Sequence, residues 1–407
     1  MRLVVSTEQR YVRTPDGRVW TTTGAANAFW QRYRTVFDHV RVVARVQERT
    51  GRPPEAQRVD GDGVEVHAVP HYVGPLQYLR SLRRVRAALR SCLAPGDAVL
   101  LRVPSAIGSL LHRRLRRSRR AFALEVVGDP HDVFAPGALR HPLRPVLRSW
   151  FTARLRAQCR SASAVAYVTE RALQARYPAA TGAVTAAYSS IQLDPDAFVD
   201  RPRPAGAPKV AVRLVSVGSL ETPYKGIDTL VEALPMLVRA GLEAHLVHLG
   251  DGRCRAGLER LVRDRRLGGR VAFAGAVPSG PAVRRYLDDA DLFVLPSRTE
   301  GLPRALIEAM ARALPAIGTR VGGTPELLSG AHLVPPGDPV ALAYAITALV
   351  ADPRAMAAAS ARNLARAGHY AADALERRRT GFYRALRVLT APDRVEEVVG
   401  GADQTFG

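Results

Sequence analysis

Lysine is almost missing from this 407-residue chain: of 59 basic side chains only Lys209 and Lys225 are lysines, and the rest are arginine. Cysteine is scarce as well. Cys92, Cys159 and Cys254 are odd in number and far apart, which fits neither a disulfide framework nor the spacing of zinc ligands. No apolar run approaches the roughly 18–20 residues of a membrane-spanning helix. The opening Met1-Arg2-Leu3-Val4-Val5-Ser6-Thr7-Glu8 turns polar too early for a signal peptide, so neither a membrane anchor nor Sec export is expected. There is also no G-x-G-x-x-G and no G-x-x-x-x-G-K-[ST], which leaves a dehydrogenase or P-loop reading without support.

What is present is a globular composition, 47% hydrophobic and 24% charged, over a length that predicts two to three domains. The expected protein is soluble and cytoplasmic. Its formal net charge of +22 is uneven, with 31 arginines against 16 acids in residues 1–200. Between Arg80 and Arg120 stand twelve arginines and one acid, Asp97. Such a surface attracts phosphates, nucleic acid or anionic lipid. Leu143, Val146, Leu147, Trp150, Phe151 and Leu155 form one stripe at helical spacing, flanked by Arg144, Arg148, Arg154 and Arg156. That pattern reads either as a helix lying on a membrane or as one facing the core with its arginines solvated. The preference for arginine itself accompanies high alanine, glycine and proline, the mark of a GC-rich coding sequence, and composition does not choose the partner.

Strand and helix patterns alternate twice. Short apolar runs at 3–6, 40–46, 98–103, 122–127 and 164–168, separated by helical segments such as 78–91 and 143–160, predict a first parallel sheet covered on both faces. The Pro-rich stretch 201–208 reads as a linker. Strands at 210–217, 244–249, 271–273, 292–295 and 316–317, with helices near 227–240, 254–266, 280–289, 304–312 and 338–350, predict a second sheet of the same kind. The expected fold class is therefore α/β, with two facing Rossmann-like doubly wound domains and the active site in the cleft between them. Residues 1–200 form the first of these domains and 209–370 the second. A C-terminal helix at 371–390 packs back toward the first domain, and 391–407 is a flexible tail.

Two segments carry chemistry. Val217-Gly218-Ser219-Leu220 ends a strand, and Tyr224-Lys225-Gly226 opens the following helix. A glycine there lets the backbone approach a ligand, and the helix start with Lys225 suits a diphosphate. Further on, Phe293-Val294-Leu295-Pro296-Ser297 runs into Arg298-Thr299-Glu300-Gly301-Leu302-Pro303 and a helix bearing Glu308. Two carboxylates near one helix N-terminus suit the acceptance of hydrogen bonds from sugar hydroxyls.

The stretch Glu300-Gly301-Leu302-Pro303-Arg304-Ala305-Leu306-Ile307-Glu308 resembles the E-x7-E motif of the retaining nucleotide-sugar glycosyltransferases of glycosyltransferase family 4, which have the GT-B fold. Leu249-Gly250-Asp251-Gly252, Val271-Ala272-Phe273-Ala274-Gly275, Ala290-Asp291-Leu292-Phe293 and Val321-Gly322-Gly323-Thr324-Pro325-Glu326 extend the resemblance over about residues 209–350. The resemblance implies that Glu300 contacts the donor sugar and Glu308 the ribose. It implies that Lys225 binds the diphosphate beside Gly218, with backbone help from Gly301, Leu302 and Pro303, and that Phe273 and Gly275 border the nucleobase. Ser219 departs from it, since many members carry arginine there as a second cation; Arg304 or an arginine of the first domain is the expected replacement. Ala313 stands where the family often has glycine, a minor change in helix packing. Asp129 and His131, after a buried strand, are the expected acceptor-side catalytic residues, with Arg102, Glu8, Arg10 and Gly24 as weaker candidates.

The donor is expected to be of UDP type rather than GDP type, with no further cofactor. No metal site is expected, because the D-x-D spacing in Asp288-Asp289-Ala290-Asp291 reads as a helix end. The partners expected are a nucleoside-diphosphate sugar and a hydroxyl acceptor (a glycan, a lipid-linked saccharide or a small metabolite), with peripheral contact to the inner membrane face and no nucleic acid. Three readings compete: a nucleotide-sugar epimerase, a basic protein binding nucleic acid or a membrane surface, and a catalytically silent sugar-binding protein.

Overall fold

The computed structural model describes residues 1–22, 24–135, 142–191, 193–207 and 210–391. Pro208 of the expected linker and the expected tail beyond Ala391 lie outside the described residues, as does Lys209. The first sheet contains β1 (Arg2–Arg13), β2 (Val19–Thr21), β3 (His39–Glu48), β4 (Gln57–Arg58), β5 (Val64–Pro70), β6 (Ala98–Val103), β7 (Ala123–Val126), β8 (Ala164–Tyr167) and β9 (Val184–Ala187). Its parallel body runs β5-β3-β1-β6-β7-β8-β9. Leu3, Val4, Val5, Val99, Leu100 and Leu101 have no exposed surface, because helices cover both faces and leave no side for alternating polar residues.

The second sheet repeats the plan. Strands β10 (Ala211–Val217), β11 (Glu243–Leu249), β12 (Val271–Gly275), β13 (Leu292–Leu295), β14 (Ala316–Thr319) and β15 (Leu333–Val334) are all parallel, in the order β12-β11-β10-β13-β14-β15. In both sheets the strand order reverses beside the first strand, at β1/β6 and at β10/β13. Doubly wound sheets bind ligands beyond the carboxyl ends of the strands at that switch point. The expected α/β class and its two Rossmann-like units are what the chain folds into.

Several elements exceed their sequence signal. The first strand continues past Ser6 to Arg13, through an irregularity between Ser6 and Arg10, and its far end pairs antiparallel with β2. Glu8 and Arg10 therefore lie within a strand, not after one. Glu8 is occupied there by Ser105 Oγ at 2.9 Å, the Ile107 amide at 2.9 Å and Tyr72 Oη at 2.8 Å. The basic helix Arg144–Ser161 divides its stripe: Leu155 is buried, whereas Val146 and Trp150 are exposed. No single helix among the described residues is long and apolar enough to cross a membrane. Pro339–Ala351 and Pro353–Thr390 reach that composition only together, across a 101° bend.

Charged side chains join the two halves. Glu326, on the turn after β14, accepts from the amides of Glu170, Arg171 and Ala172 at 2.6, 3.0 and 2.7 Å, at the start of the short helix Ala172–Arg176 in the first domain. Arg366 pairs with Glu170 at 2.7 Å. The last helix, Ala372–Thr390, packs on the first sheet through Phe382, Tyr383 and Leu386. Tyr383 donates to buried Glu125 at 3.3 Å, beside Tyr188 at 2.9 Å and Tyr33 at 3.1 Å, with Arg102 at 3.4 Å. A buried carboxylate is tolerable only when satisfied in this way.

Truncating Glu326 strips three amides of one ionised acceptor. Glu326→Ala should lower unfolding free energy by about 3 kcal/mol, within the range for charged hydrogen bonds, and Glu326→Gln by less. Urea unfolding measures both; an unchanged midpoint for Glu326→Ala would contradict the role of this clasp.

Candidate active site

The second switch point is built from close backbone contacts. After β10, Gly218 donates its amide to Leu249 O at 2.9 Å, and Gly250 donates to Gly275 O at 2.8 Å. Gly250 has φ +143°, and a Cβ there would lie 1.9 Å from Gly218 O. At the other side of the turn Gly226 has φ +66°, and a Cβ would lie 2.0 Å from Pro296 O. Any larger residue at either position would push apart the strand ends that form the floor.

On that floor lies Lys225. Its methylenes cross Gly218, where an added Cβ would come within 2.9 Å of them. Its Nζ stands 2.6 Å from Glu300 Oε1, which also accepts from Ser297 Oγ at 2.7 Å. The two charged side chains are only 13% and 8% exposed, so removing either one would leave the other as a nearly buried charge without its partner. Arg298 holds the arrangement together. Its guanidinium makes a two-point pair with Asp228 at 2.8 and 2.7 Å and donates to Pro223 O at 2.7 Å, while its amide donates to Tyr224 O at 2.7 Å. The loop carrying Glu300 is thereby tied to the turn carrying Lys225. Sequence reasoning passed over Arg298; the only available signal was an arginine two residues before Glu300 and an acid in the first turn after Lys225.

His248 is the second residue that was missed. It is fully buried, takes the Ser216 hydroxyl on Nδ1 at 2.7 Å and holds Gly218 O from Nε2 at 3.0 Å. Burial pushes its pKa down to about 4, so it is neutral when folded. Its ring lies 6.2 Å from that of half-buried Phe273, edge to face. Gly218, Phe273 and Gly275 thus belong to one connected group around His248 and Gly250.

The helix Arg304–Ala311 starts beyond Pro303 with no side chain capping its amides. Pro303 itself has no N–H, so the expected backbone help from it is corrected: the open amides of this turn begin at Arg304. Glu308, one turn in, is half-buried, and desolvation raises its pKa against the pull of Arg304 and Arg284. Ser219 is exposed and, among the described residues, accepts only the Glu221 amide, at 3.2 Å. Ala313 has φ +52°, the left-handed region, so the change from the family's glycine is one of backbone strain, not of helix packing as expected.

Gly301, Leu302 and Arg304 form one wall of a cleft of about 530 Å³, whose other wall includes Thr7, Gln9, Gly24, Phe29, Arg102 and Ser189. Asp129 and His131 are not on that wall, and the structure does not bring them to it. Asp129 is buried, caps the helix Pro130–Val133 and is held by Arg176 and by Tyr177 Oη at 2.5 Å. His131 lies between Asp132 at 3.0 Å and Arg148 at 3.1 Å. These residues form a cluster of metal-ligand type among the described residues, but Arg176 already contacts both carboxylates. Of the D-x-D acids, Asp289 is exposed and Asp291 is turned inward to the Arg213 amide at 2.8 Å, while the neighbouring Asp288 pairs with Arg312 at 2.6 Å.

Residues 211–352 match the family model for glycosyl transferases group 1. The chain is 24% identical to Protein CapJ of Staphylococcus aureus, over 78% of this chain and 79% of that one. It is 38% identical to a putative colanic acid biosynthesis glycosyltransferase, WcaL of Escherichia coli K12, over 36% of this chain and 38% of that one. Among solved structures it is similar to sucrose-phosphate synthase of Thermosynechococcus elongatus, with a TM-score of 0.69 at 19% identity, covering 95% and 99% of the two chains. It is also similar to Anabaena HepE in complex with UDP-glucose, with a TM-score of 0.62 at 16% identity, covering 95% and 100%. The structural likenesses carry the fold, which is GT-B. The sequence matches favour sugar transfer over the epimerase and nucleic-acid readings.

A buried neutral histidine has a pH signature. The unfolded chain takes up a proton near 6.5, the folded chain only near 4 at His248 and also at His112. Stability is therefore complete above pH 6.5 and lost as pH falls toward 4, by at most roughly 3 kcal/mol per histidine. Melting temperatures between pH 8 and 5 should fall less steeply in His248→Gln than in the unaltered protein; equal slopes would refute the assignment.

Proposed function

We propose that this chain, which has the GT-B fold and whose residues 211–352 match the family model for glycosyl transferases group 1, is a cytoplasmic, retaining, metal-independent glycosyltransferase. It moves a sugar from a nucleoside-diphosphate donor, UDP-type in preference to GDP-type, to a hydroxyl of a glycan, lipid-linked saccharide or small metabolite. The observation that carries this reading is the 2.6 Å pair of Lys225 and Glu300, joined across 75 residues of sequence where the strands of the second sheet end.

That pair is a preorganised exchange. A diphosphate arriving over Gly218 replaces Glu300 as the partner of Lys225, and Glu300 is released to accept hydroxyl hydrogens of the donor sugar. As the bond from C1 to the phosphate oxygen breaks, the electron pair leaves with the diphosphate. Lys225 and the open amides at the start of the helix Arg304–Ala311 stabilise the charge there, the kind of fixed electrostatics that is often the largest catalytic term. Arg304 supplies the second positive charge that Ser219 cannot. The acceptor oxygen attacks C1 from the side the diphosphate leaves, and its proton passes to the departing phosphate oxygen. Glu308 takes the ribose, and the nucleobase lies along Phe273 and Gly275. The UDP-glucose complex of HepE supports a uridine nucleotide, and the colanic acid role named for WcaL supports a glycan acceptor.

Lys225→Ala should reduce kcat by about 10²–10³-fold, the effect of deleting one charge-stabilising donor, with turnover unchanged by EDTA. Proton NMR of the product should show the anomeric configuration of the donor. Undiminished turnover in Lys225→Ala, loss of activity in EDTA, or an inverted anomer would each overturn the corresponding part of the proposal.

A further inference from the structure

One face of the first domain has no part in this reaction. The helices Gly74–Ala88, Ala106–Arg117 and Arg144–Ser161 lie on the same side of the sheet, where Val85, Leu111 and Leu155 share one buried cluster. Residues 74–90, 106–120 and 143–161 contain sixteen arginines and no acid. The arginines that are tethered bond mainly to neutral carbonyls: Arg114 to Leu89 O and Arg90 O, Arg120 to Ala94 O, Arg148 to His131 O and Arg156 to Arg176 O. Among the described residues the ion pairs of the first domain are made by other arginines, such as Arg2, Arg41, Arg45, Arg102 and Arg176, and none by these sixteen. Burial, together with repulsion from Arg116, Arg154 and Arg113, drives the pKa of nearby His112 down to about 4. A groove of about 740 Å³ between the first two helices is lined by Arg86, Arg90, Arg113, Arg114 and Arg117.

The same face exposes large apolar side chains. Leu76 is 72% exposed, Leu79 63%, Val146 66% and Trp150 50%. They are not scattered. Arg154 lies over the Trp150 ring at 5.1 Å and within electrostatic reach of Tyr78 and Arg113, which joins the third helix to the other two. The helix Gly74–Ala88 leaves the carboxyl end of β5, and Arg144–Ser161 leads back to the start of β8. The first turns of both therefore lie at the cleft end of the domain, with the arginine groove behind them.

We propose that this three-helix face docks the enzyme on an anionic lipid bilayer, its apolar side chains among the headgroups near the cleft mouth and its arginine groove on lipid phosphates. Charge alone would serve a nucleic acid equally well. Leu76, Leu79 and Val146 decide between the two, because they offer neither a π-face nor a hydrogen bond to a nucleotide, whereas a bilayer interface accepts apolar and cationic side chains together. The docking does not depend on which sugar is transferred, nor on transfer itself.

The test is co-sedimentation of the full chain with phosphatidylcholine vesicles and with vesicles of phosphatidylcholine mixed with phosphatidylglycerol. The unaltered protein should partition only onto the mixed vesicles. The triple variant Arg86→Ala/Arg113→Ala/Arg117→Ala should lose about 100-fold in partition, at roughly fivefold per arginine near an anionic surface. Leu76→Ser/Leu79→Ser should lose roughly tenfold from the unburied side chains. All these positions are solvent-exposed, so melting temperatures and donor turnover in solution should not change, which separates failure of docking from failure of the reaction. Absence of binding to mixed vesicles, or binding that both variants retain, overturns the proposal. So does tighter binding to an RNA oligomer that the leucine variant keeps.

Discussion

The mutual dependence of Lys225 and Glu300 is the constraint around which the second domain is arranged. Two opposite charges that are almost out of water must stay within hydrogen-bond distance or leave a buried charge uncompensated. Around them the chain removes freedom: Gly226 and Gly250 allow strand ends to touch, His248 fixes the Gly218 carbonyl, and Arg298 fastens one loop to the other. None of these residues needs to meet a substrate for its removal to matter, because each sets where the pair stands. The scarcity of lysine sharpens this. In a chain where arginine serves almost every other cationic position, a compact ammonium with three donors is kept beside Glu300.

The cleft has a second dependency, the attachment of the two halves. Glu326 binds backbone amides of the first domain, and the final helix brings Tyr383 into the carboxylate cluster at Glu125, directly behind Arg102 on the cleft wall. The distance between the two walls of the cleft is thus set by side-chain hydrogen bonds that belong to neither strand ladder. Movement of one half relative to the other would first have to release these.

Much of this was legible in the sequence where the signal is local. Uninterrupted apolar runs marked buried parallel strands in both halves, and the spacing of Glu300 and Glu308 around Gly301 and Pro303 marked a loop entering a helix. What was not legible depends on partners distant in the chain. The continuation of β1 through Glu8 and Arg10 carries polar residues, and past the irregularity between Ser6 and Arg10 it pairs with the end of β3 and with the three-residue β2, so its pattern resembles a loop. Asp129 reads as a cleft acid until Arg176 and Tyr177, more than forty residues on, are seen to claim it. Ala313 looks like a conservative change until its φ of +52° shows that the position asks for glycine. Glu326, inside a motif of glycines, gave no hint that its carboxylate belongs to the other domain.

The central claim is that Glu300 shields Lys225 and yields it to the diphosphate. Titration calorimetry of UDP against the unaltered protein and Glu300→Gln tests it most directly. With the competing carboxylate neutralised, Glu300→Gln should bind UDP at least as tightly as the unaltered protein while its sugar transfer is lost. Loss of UDP binding in Glu300→Gln would contradict the exchange and make Glu300 a part of the nucleotide site itself.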